Sequence, residues 1–128
     1  AHRFVEEMGC DWLSVAIGNI HGAIAEGAKD KKKIAARLNL EHLERLHEAT
    51  GVPLVLHGGS GIPRDYVLAS FERGIAKINI ATEIRQAYEE ALADTGKVTA
   101  AQDAVYERTT WLIGDYFGLK GTRTLIYP

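Results

Sequence analysis

Residues 53–63, Pro53-Leu54-Val55-Leu56-His57-Gly58-Gly59-Ser60-Gly61-Ile62-Pro63, run from a short apolar stretch straight into a histidine and a glycine-rich turn. Pro53 to Leu56 is too short for a helix and reads as a buried strand. Pro63 sits at a first helical position and opens a helix with Val67, Leu68 and Phe71 turned inward and Gly74 at its end. Strand, glycine loop and helix thus follow one another without a spacer. Working outward, Asn39 is a candidate N-cap for a helix carrying Leu40, Leu43 and Leu46, closed by Thr50-Gly51. Before it, Trp12 to Ile17 is a mostly apolar run between Asp11 and Gly18, which predicts a strand buried on both faces. Phe4, Val5 and Met8 have the spacing of a helix end, with Gly9 as its stop.

Downstream, Ile75 to Ile80 predicts a third strand, in which Ile78 and Ile80 face one way and Lys77 and Asn79 the other. Thr82 caps the next helix, whose residues 84, 87, 88, 91 and 92 form one apolar stripe. Thr99 and Gln102 form a capping-box pair for a last long helix, with 101, 104, 105, 112, 113, 116 and 117 apolar on one face up to Gly118. Between the first strand and Asn39 lies a long loop with a helical turn near Ile34 to Leu38 and a lysine-rich stretch at Lys29 to Lys33, read as solvated. Alternating strands and helices imply a parallel sheet with right-handed crossovers, either open or part of a barrel. Three strands are too few to close a barrel of about eight.

With 15 Lys plus Arg against 17 Asp plus Glu, the 128 residues carry a formal charge of −2, which is no footprint for nucleic acid or an anionic membrane. A composition 46% hydrophobic and 25% charged describes a globular chain with a core. No run approaches the roughly 20 apolar residues of a membrane span, and no signal peptide is evident, so a cytoplasmic location is expected. Cys10 is the single cysteine and has no internal disulfide partner. Beginning at Ala1, with Met8 as its only methionine, the chain reads as processed or cut from something longer.

All the unusual residues follow strands: His21-Gly22 the first, His57-Gly58-Gly59-Ser60-Gly61 the second, Asn79 to Thr82 the third. In parallel α/β folds the ligand side is the carboxyl end of the strands, so these motifs converge on one place. Two histidines at neighbouring strand ends suit Zn²⁺, although a catalytic zinc takes roughly three protein ligands and either histidine has a structural alternative. His2, His42 and His47 lie on helices and read as surface or packing residues. The glycine loop, with Ser60 and a following helix, suits a phosphate; a tight turn needing positive φ is the plainer alternative. Thr82 is either a second phosphate contact or only a cap. Asn79 either faces a substrate near the metal or satisfies loop backbone.

The segments VAIGNIHG, PLVLHGGSGIP and GIAKINIATE, in this order, closely resemble the last three strand segments of the class II, metal-dependent fructose-bisphosphate and tagatose-bisphosphate aldolases. The resemblance runs over essentially all of residues 1–128. It implies a TIM (β/α)8 barrel, of which this chain is the carboxyl-terminal part: about the last three strand-helix units and the C-terminal helices of a single domain. The implied reaction is reversible cleavage of a ketose 1,6-bisphosphate, most readily fructose 1,6-bisphosphate, to dihydroxyacetone phosphate and glyceraldehyde 3-phosphate. Carried over by residue, His21 and His57 match two zinc ligands. Gly22, Gly58, Gly59, Ser60, Asn79, Ile80, Ala81 and Thr82 match positions that hold dihydroxyacetone phosphate, with Asn79 beside the enediolate as the catalytic contact. The resemblance also implies a monovalent cation (Na⁺ or K⁺) near the phosphate loop, a homo-oligomer, and a missing amino-terminal half of the barrel that supplies the first zinc histidine and the proton-transferring aspartate. The fragment alone is expected to be inactive.

Two departures stand out. Ala23-Ile24-Ala25-Glu26-Gly27 lacks the Tyr common shortly after the family's His-Gly pair, and Gly59 replaces the Ala the family often has, a replacement expected to be sterically harmless. Two other readings remain open: a non-catalytic assembly module whose unpaired strand edges demand a partner chain, and a metal-free phosphosugar-binding barrel.

Overall fold

The computed structural model describes residues 1–19 and 37–126, so the expected turn near Ile34 to Leu38 lies mostly, and the lysine-rich stretch wholly, outside the described residues. The chain forms two compact units, Ala1–Ala81 and Thr82–Pro128.

The first unit alternates helix and strand: α1 (His2–Met8), β1 (Leu13–Val15), α2 (Leu40–Thr50), β2 (Leu54–Leu56), α3 (Arg64–Phe71) and β3 (Ile75–Ile78). Among the described residues all strand pairing is parallel and the sheet order is β1-β2-β3, the arrangement the alternation requires. Local signals set the ends of α2: the Asn39 side chain accepts the His42 N–H at 2.9 Å, and Gly51, at φ 65°, donates its N–H to the His47 carbonyl. The core gathers on the central strand. Leu54 and Leu56 are fully buried, joined by Leu43 of α2, Val67 of α3, Ile75 of β3, and Ile17 and Leu38 beyond β1 and before α2. Removing such side chains from water at roughly 25 cal/mol per Å² is what holds helices against the sheet.

Several expectations need correction here. The strands are shorter than their apolar runs, and β1 is not buried on both faces: Ser14 is exposed while Val15, on the opposite face, is covered. Pro63 is the N-cap of α3, not its first helical residue, and the helix ends at Phe71. Phe71 is 37% exposed; Val67 and Ser70 carry the covered face. Gly74, rather than ending a helix, turns the chain into β3 at φ 97°, pressed so closely on the His47 ring that a Cβ would lie 2.4 Å from it. His47 is exposed on α2, with one side of its ring against Gly74, within the surface-or-packing role its helical position suggested. Along β3 the pairing slips by one residue: Leu54 faces Ile75, but Val55 faces Lys77 and Leu56 faces Ile78. Ala76 is the extra residue of a β-bulge.

The second unit comprises α4 (Thr82–Thr95), α5 (Val98–Trp111), a π-helical turn at Leu112–Tyr116 and α6 (Arg123–Ile126). In α4 the stripe is visible as half-burial of Ile84, Ala87, Tyr88, Ala91 and Leu92, whereas Arg85, Gln86, Glu89 and Glu90 are exposed. The capping box is absent. Gly96, at φ 65°, ends α4, and α5 starts at Val98 behind Lys97 with no side-chain cap, which leaves Thr99 inside the helix. Ala101 and Leu112 are buried, but Ile113 is 50% exposed because the helix widens into the π turn there. Among the described residues no helix is long and apolar enough to cross a membrane.

Candidate functional site

His57 follows β2 directly and is half-buried at the carboxyl end of the sheet. The residues around it come from the ends of both neighbouring strands. Beyond β3, Asn79 donates its backbone N–H to the Leu56 carbonyl at 2.9 Å and accepts the Gly59 N–H at 3.0 Å. An unbroken parallel ladder would return that second bond from residue 58. Gly58 instead adopts φ 68°, a conformation open chiefly to glycine, and hands the bond to Gly59. The positive-φ requirement foreseen for the turn is therefore real.

Gly59 is buried and has its own constraint. A Cβ on it would lie 2.6 Å from Ile78 Cγ1, 2.7 Å from Ile78 Cδ1 and 3.2 Å from the Asn79 carbonyl oxygen. A methyl group added at Gly59 would therefore meet the end of β3, so the packing around this loop suits glycine. Ser60 is 6% exposed, so its hydroxyl lies within the loop and not on an open surface. Ile62 anchors the loop at 3% exposure, and Arg64 begins α3.

The Asn79 side chain meets the histidine. Its Nδ2 lies 3.2 Å from both Nδ1 and Nε2 of His57, so the amide rests against the ring and not along the lone pair of either nitrogen. The backbone of Asn79, not its side chain, ties the loop. From the β1 side, Asn19 accepts the Ile17 N–H on Oδ1 at 3.0 Å and donates from Nδ2 to the His57 carbonyl at 2.6 Å. Asn19 was not singled out in the sequence. The available signal was an amide side chain at a strand end two residues before the His21-Gly22 pair.

His21 and Gly22 lie outside the described residues. Ile80 is half-buried and Ala81 exposed at the end of the first unit; Thr82 is the first helical residue of α4 in the second, so it starts that helix without standing before it as a cap. Among the described residues no cluster of three His, Cys, Asp or Glu side chains is poised for a metal. What the donor chemistry does offer is one imidazole at a strand end with an amide partner on its ring. An imidazole there is of the kind that ligates zinc, but the Asn79 Nδ2 is a donor and, as placed, is not the acceptor that the second N–H of a ligating histidine takes.

A family model for class-II fructose-bisphosphate aldolase matches residues 1–117. The fructose-bisphosphate aldolase of Streptococcus pyogenes is 40% identical over 102 residues, which are 79% of this chain and 32% of that protein. Among solved structures, the YdjI aldolase from Escherichia coli K12 superposes with a TM-score of 0.73 at 37% identity, covering 94% of this chain and 44% of that one. A fructose-1,6-bisphosphate aldolase described as putative, from Coccidioides immitis, superposes with a TM-score of 0.71 at 26% identity over 97% of this chain and 44% of that one. The chain spans about a third of the length of the curated relatives it matches. Its parallel sheet and flanking helices are the carboxyl-terminal part of the TIM-barrel fold of those aldolases. The parallel sheet that brings the ends of β2 and β3 together and the match across residues 1–117 agree, and the chain belongs to the class II fructose-bisphosphate aldolase family.

Proposed function

We propose that this chain is the carboxyl-terminal part, residues 1–128, of a single aldolase barrel domain that reversibly cleaves a ketose 1,6-bisphosphate, fructose 1,6-bisphosphate in the first instance, to dihydroxyacetone phosphate and glyceraldehyde 3-phosphate. The observation that carries this reading is the meeting of Asn79 and His57 at the ends of adjacent parallel strands, beside a glycine loop, in a chain of this family. His57 and His21 would hold the zinc ion together with a ligand from the missing amino-terminal half of the barrel. When bound, zinc supplies Lewis-acid polarisation of the substrate's ketone.

The chain's own residues bind and orient. The N–H groups of the Gly58-Gly59-Ser60 loop, the Ser60 hydroxyl, Gly22 and the Ile80-Ala81-Thr82 segment hold the phosphate of the dihydroxyacetone half, which fixes the reacting carbons. Asn79 donates to the oxygen on which negative charge grows during cleavage. A Na⁺ or K⁺ ion beside the phosphate loop would offset the charge of the phosphate. Proton transfer belongs to an aspartate outside this chain, so the fragment alone is inactive. The remaining barrel strands cover the edges of the sheet, and the complete enzyme is a cytoplasmic homo-oligomer.

The test is made on the complete protein. Zinc content, cleavage of fructose and tagatose 1,6-bisphosphates, and loss of activity on chelation restored by Zn²⁺ are expected together. Full activity in a metal-free preparation, or binding of the phosphosugars without cleavage, would overturn the reading in favour of a metal-free binding barrel.

A further inference from the structure

We propose that Asn19 is a positioning residue for His57: its side-chain amide is a fixed strut that sets the direction in which the His57 ring leaves the sheet. The inference rests on His57 being a metal ligand and goes beyond it. The last backbone pair between β1 and β2 is Val15 with Leu56. One residue further along β2, at His57, the link to the β1 side is made by the Asn19 amide, which joins the Ile17 N–H to the His57 carbonyl. Residue 57 is thus held to both neighbours, by Asn19 on its carbonyl and by Asn79 on its ring.

The orientation of the Asn19 amide is forced. Turning it over would set Nδ2 against the Ile17 N–H and Oδ1 against the His57 carbonyl, two repulsive pairs in place of two bonds. Ile17 is 2% exposed and its carbonyl is occupied by the Asn39 N–H at 2.7 Å, so the segment carrying the strut's acceptor end is itself clamped. A carbonyl fixed at residue 57 fixes the 57–58 peptide plane. Together with the Cα position set by β2, it restricts the Cα–Cβ direction and hence the ring. The position requires one donor and one acceptor on a short planar group. Asn supplies both; Asp has the same shape but would face the His57 carbonyl with a charged oxygen.

The experiment uses the complete protein and three variants: His57→Ala, Asn19→Ala and Asn19→Asp. Zinc affinity is measured by competition with a chromophoric chelator, ligand geometry from the visible spectrum of the cobalt-loaded protein, and the thermal midpoint on the metal-free form. Outer partners of metal ligands typically contribute 10–100-fold in affinity. Asn19→Ala is therefore expected to weaken zinc binding by about that factor and to alter the cobalt bands, with Asn19→Asp at least as weak. Parental affinity and parental cobalt bands in Asn19→Ala, with only the thermal midpoint lowered, would overturn the proposal and leave Asn19 a brace of the fold. Should Asn19→Asp not fold, Asn19→Ala decides alone, since it removes the amide without adding charge. Unchanged zinc affinity in His57→Ala would instead remove the metal reading itself, and the proposal with it, which separates the two failures.

Discussion

Asn79 brings its side-chain nitrogen to 3.2 Å from both ring nitrogens of His57 while its backbone binds Leu56 on one side and Gly59 on the other. One residue therefore combines a backbone role that any amino acid other than proline can fill with a side-chain contact on the imidazole ring.

The division makes Asn79→Ala informative. The backbone bonds survive the substitution, so the thermal midpoint should fall by no more than a few degrees. Charge on the reacting oxygen appears only as the reaction proceeds, so the loss should fall on turnover. In the complete enzyme, kcat is expected to drop by about 10²–10³ with KM nearly unchanged. Steady-state kinetics beside thermal melts check this, and a variant with normal kcat removes Asn79 from the reaction.

Gly59→Ala should destabilise the protein by about 1–3 kcal/mol, the usual range for forcing a methyl group into a filled space. The offending atoms are Cγ1 and Cδ1 of Ile78, at 2.6 and 2.7 Å. Combining Gly59→Ala with Ile78→Ala should therefore cost less than the two changes summed. Denaturant melts of the four proteins complete the cycle, and strict additivity would show that the loop gives way elsewhere.

Ser60→Ala and Thr82→Ala should each weaken binding of dihydroxyacetone phosphate to the complete enzyme by about 1–3 kcal/mol, the range for losing a hydrogen bond to a charged group. Titration calorimetry reads this directly. Unchanged affinity in both variants would confine Ser60 to shaping its buried loop and Thr82 to starting α4.

Arg108 tests the second unit. Its Nη1 lies 3.3 Å from Glu83 Oε1, and its guanidinium carbon is 5.4 Å from the centre of the Trp111 ring. With 43% of the arginine side chain and 27% of the glutamate side chain exposed, the ion pair is screened. Arg108→Ala should cost about 1 kcal/mol or less, part of it lost at high salt. Arg108→Lys should recover the salt-dependent share and not the ring contact, which melts at two ionic strengths will separate.

Signals confined to a few neighbouring residues translated well from sequence to structure. The Asn39 cap, the Gly9 and Gly51 stops and the fully covered β2 each depend on residues close in the chain. His57 and Asn79 were legible because a polar residue straight after a buried run stands at a strand end, and parallel topology sends those ends to one side. What failed depended on longer range or on competition. The Thr99 box lost to a helix start fixed earlier by Gly96 and Lys97, and Phe71 had the right spacing for the core but stayed at its margin. The Asn19 contact joins residues 38 apart, a pairing no local period encodes. The clash at Gly59 likewise belongs to the approach of β3, not to the loop's own residues.

The slip at Ala76 has a bearing on which length changes this site can survive. Counting strictly by twos from buried Ile75 would put Asn79 on the core-facing side with it; the extra residue shifts the parity, so Ile75 and Ile78 share the face of Leu54 and Leu56 while Asn79 turns to the face of His57. Ala76 thus uncouples the hydrophobic start of the strand from its chemical end. Shortening the chain at Ala76 would restore a regular ladder with Lys77 still beside Val55, leaving the amide next to the imidazole. One residue removed between Lys77 and Asn79 would instead slide the amide past it, so insertions and deletions are tolerated on one side of the bulge and ruinous on the other.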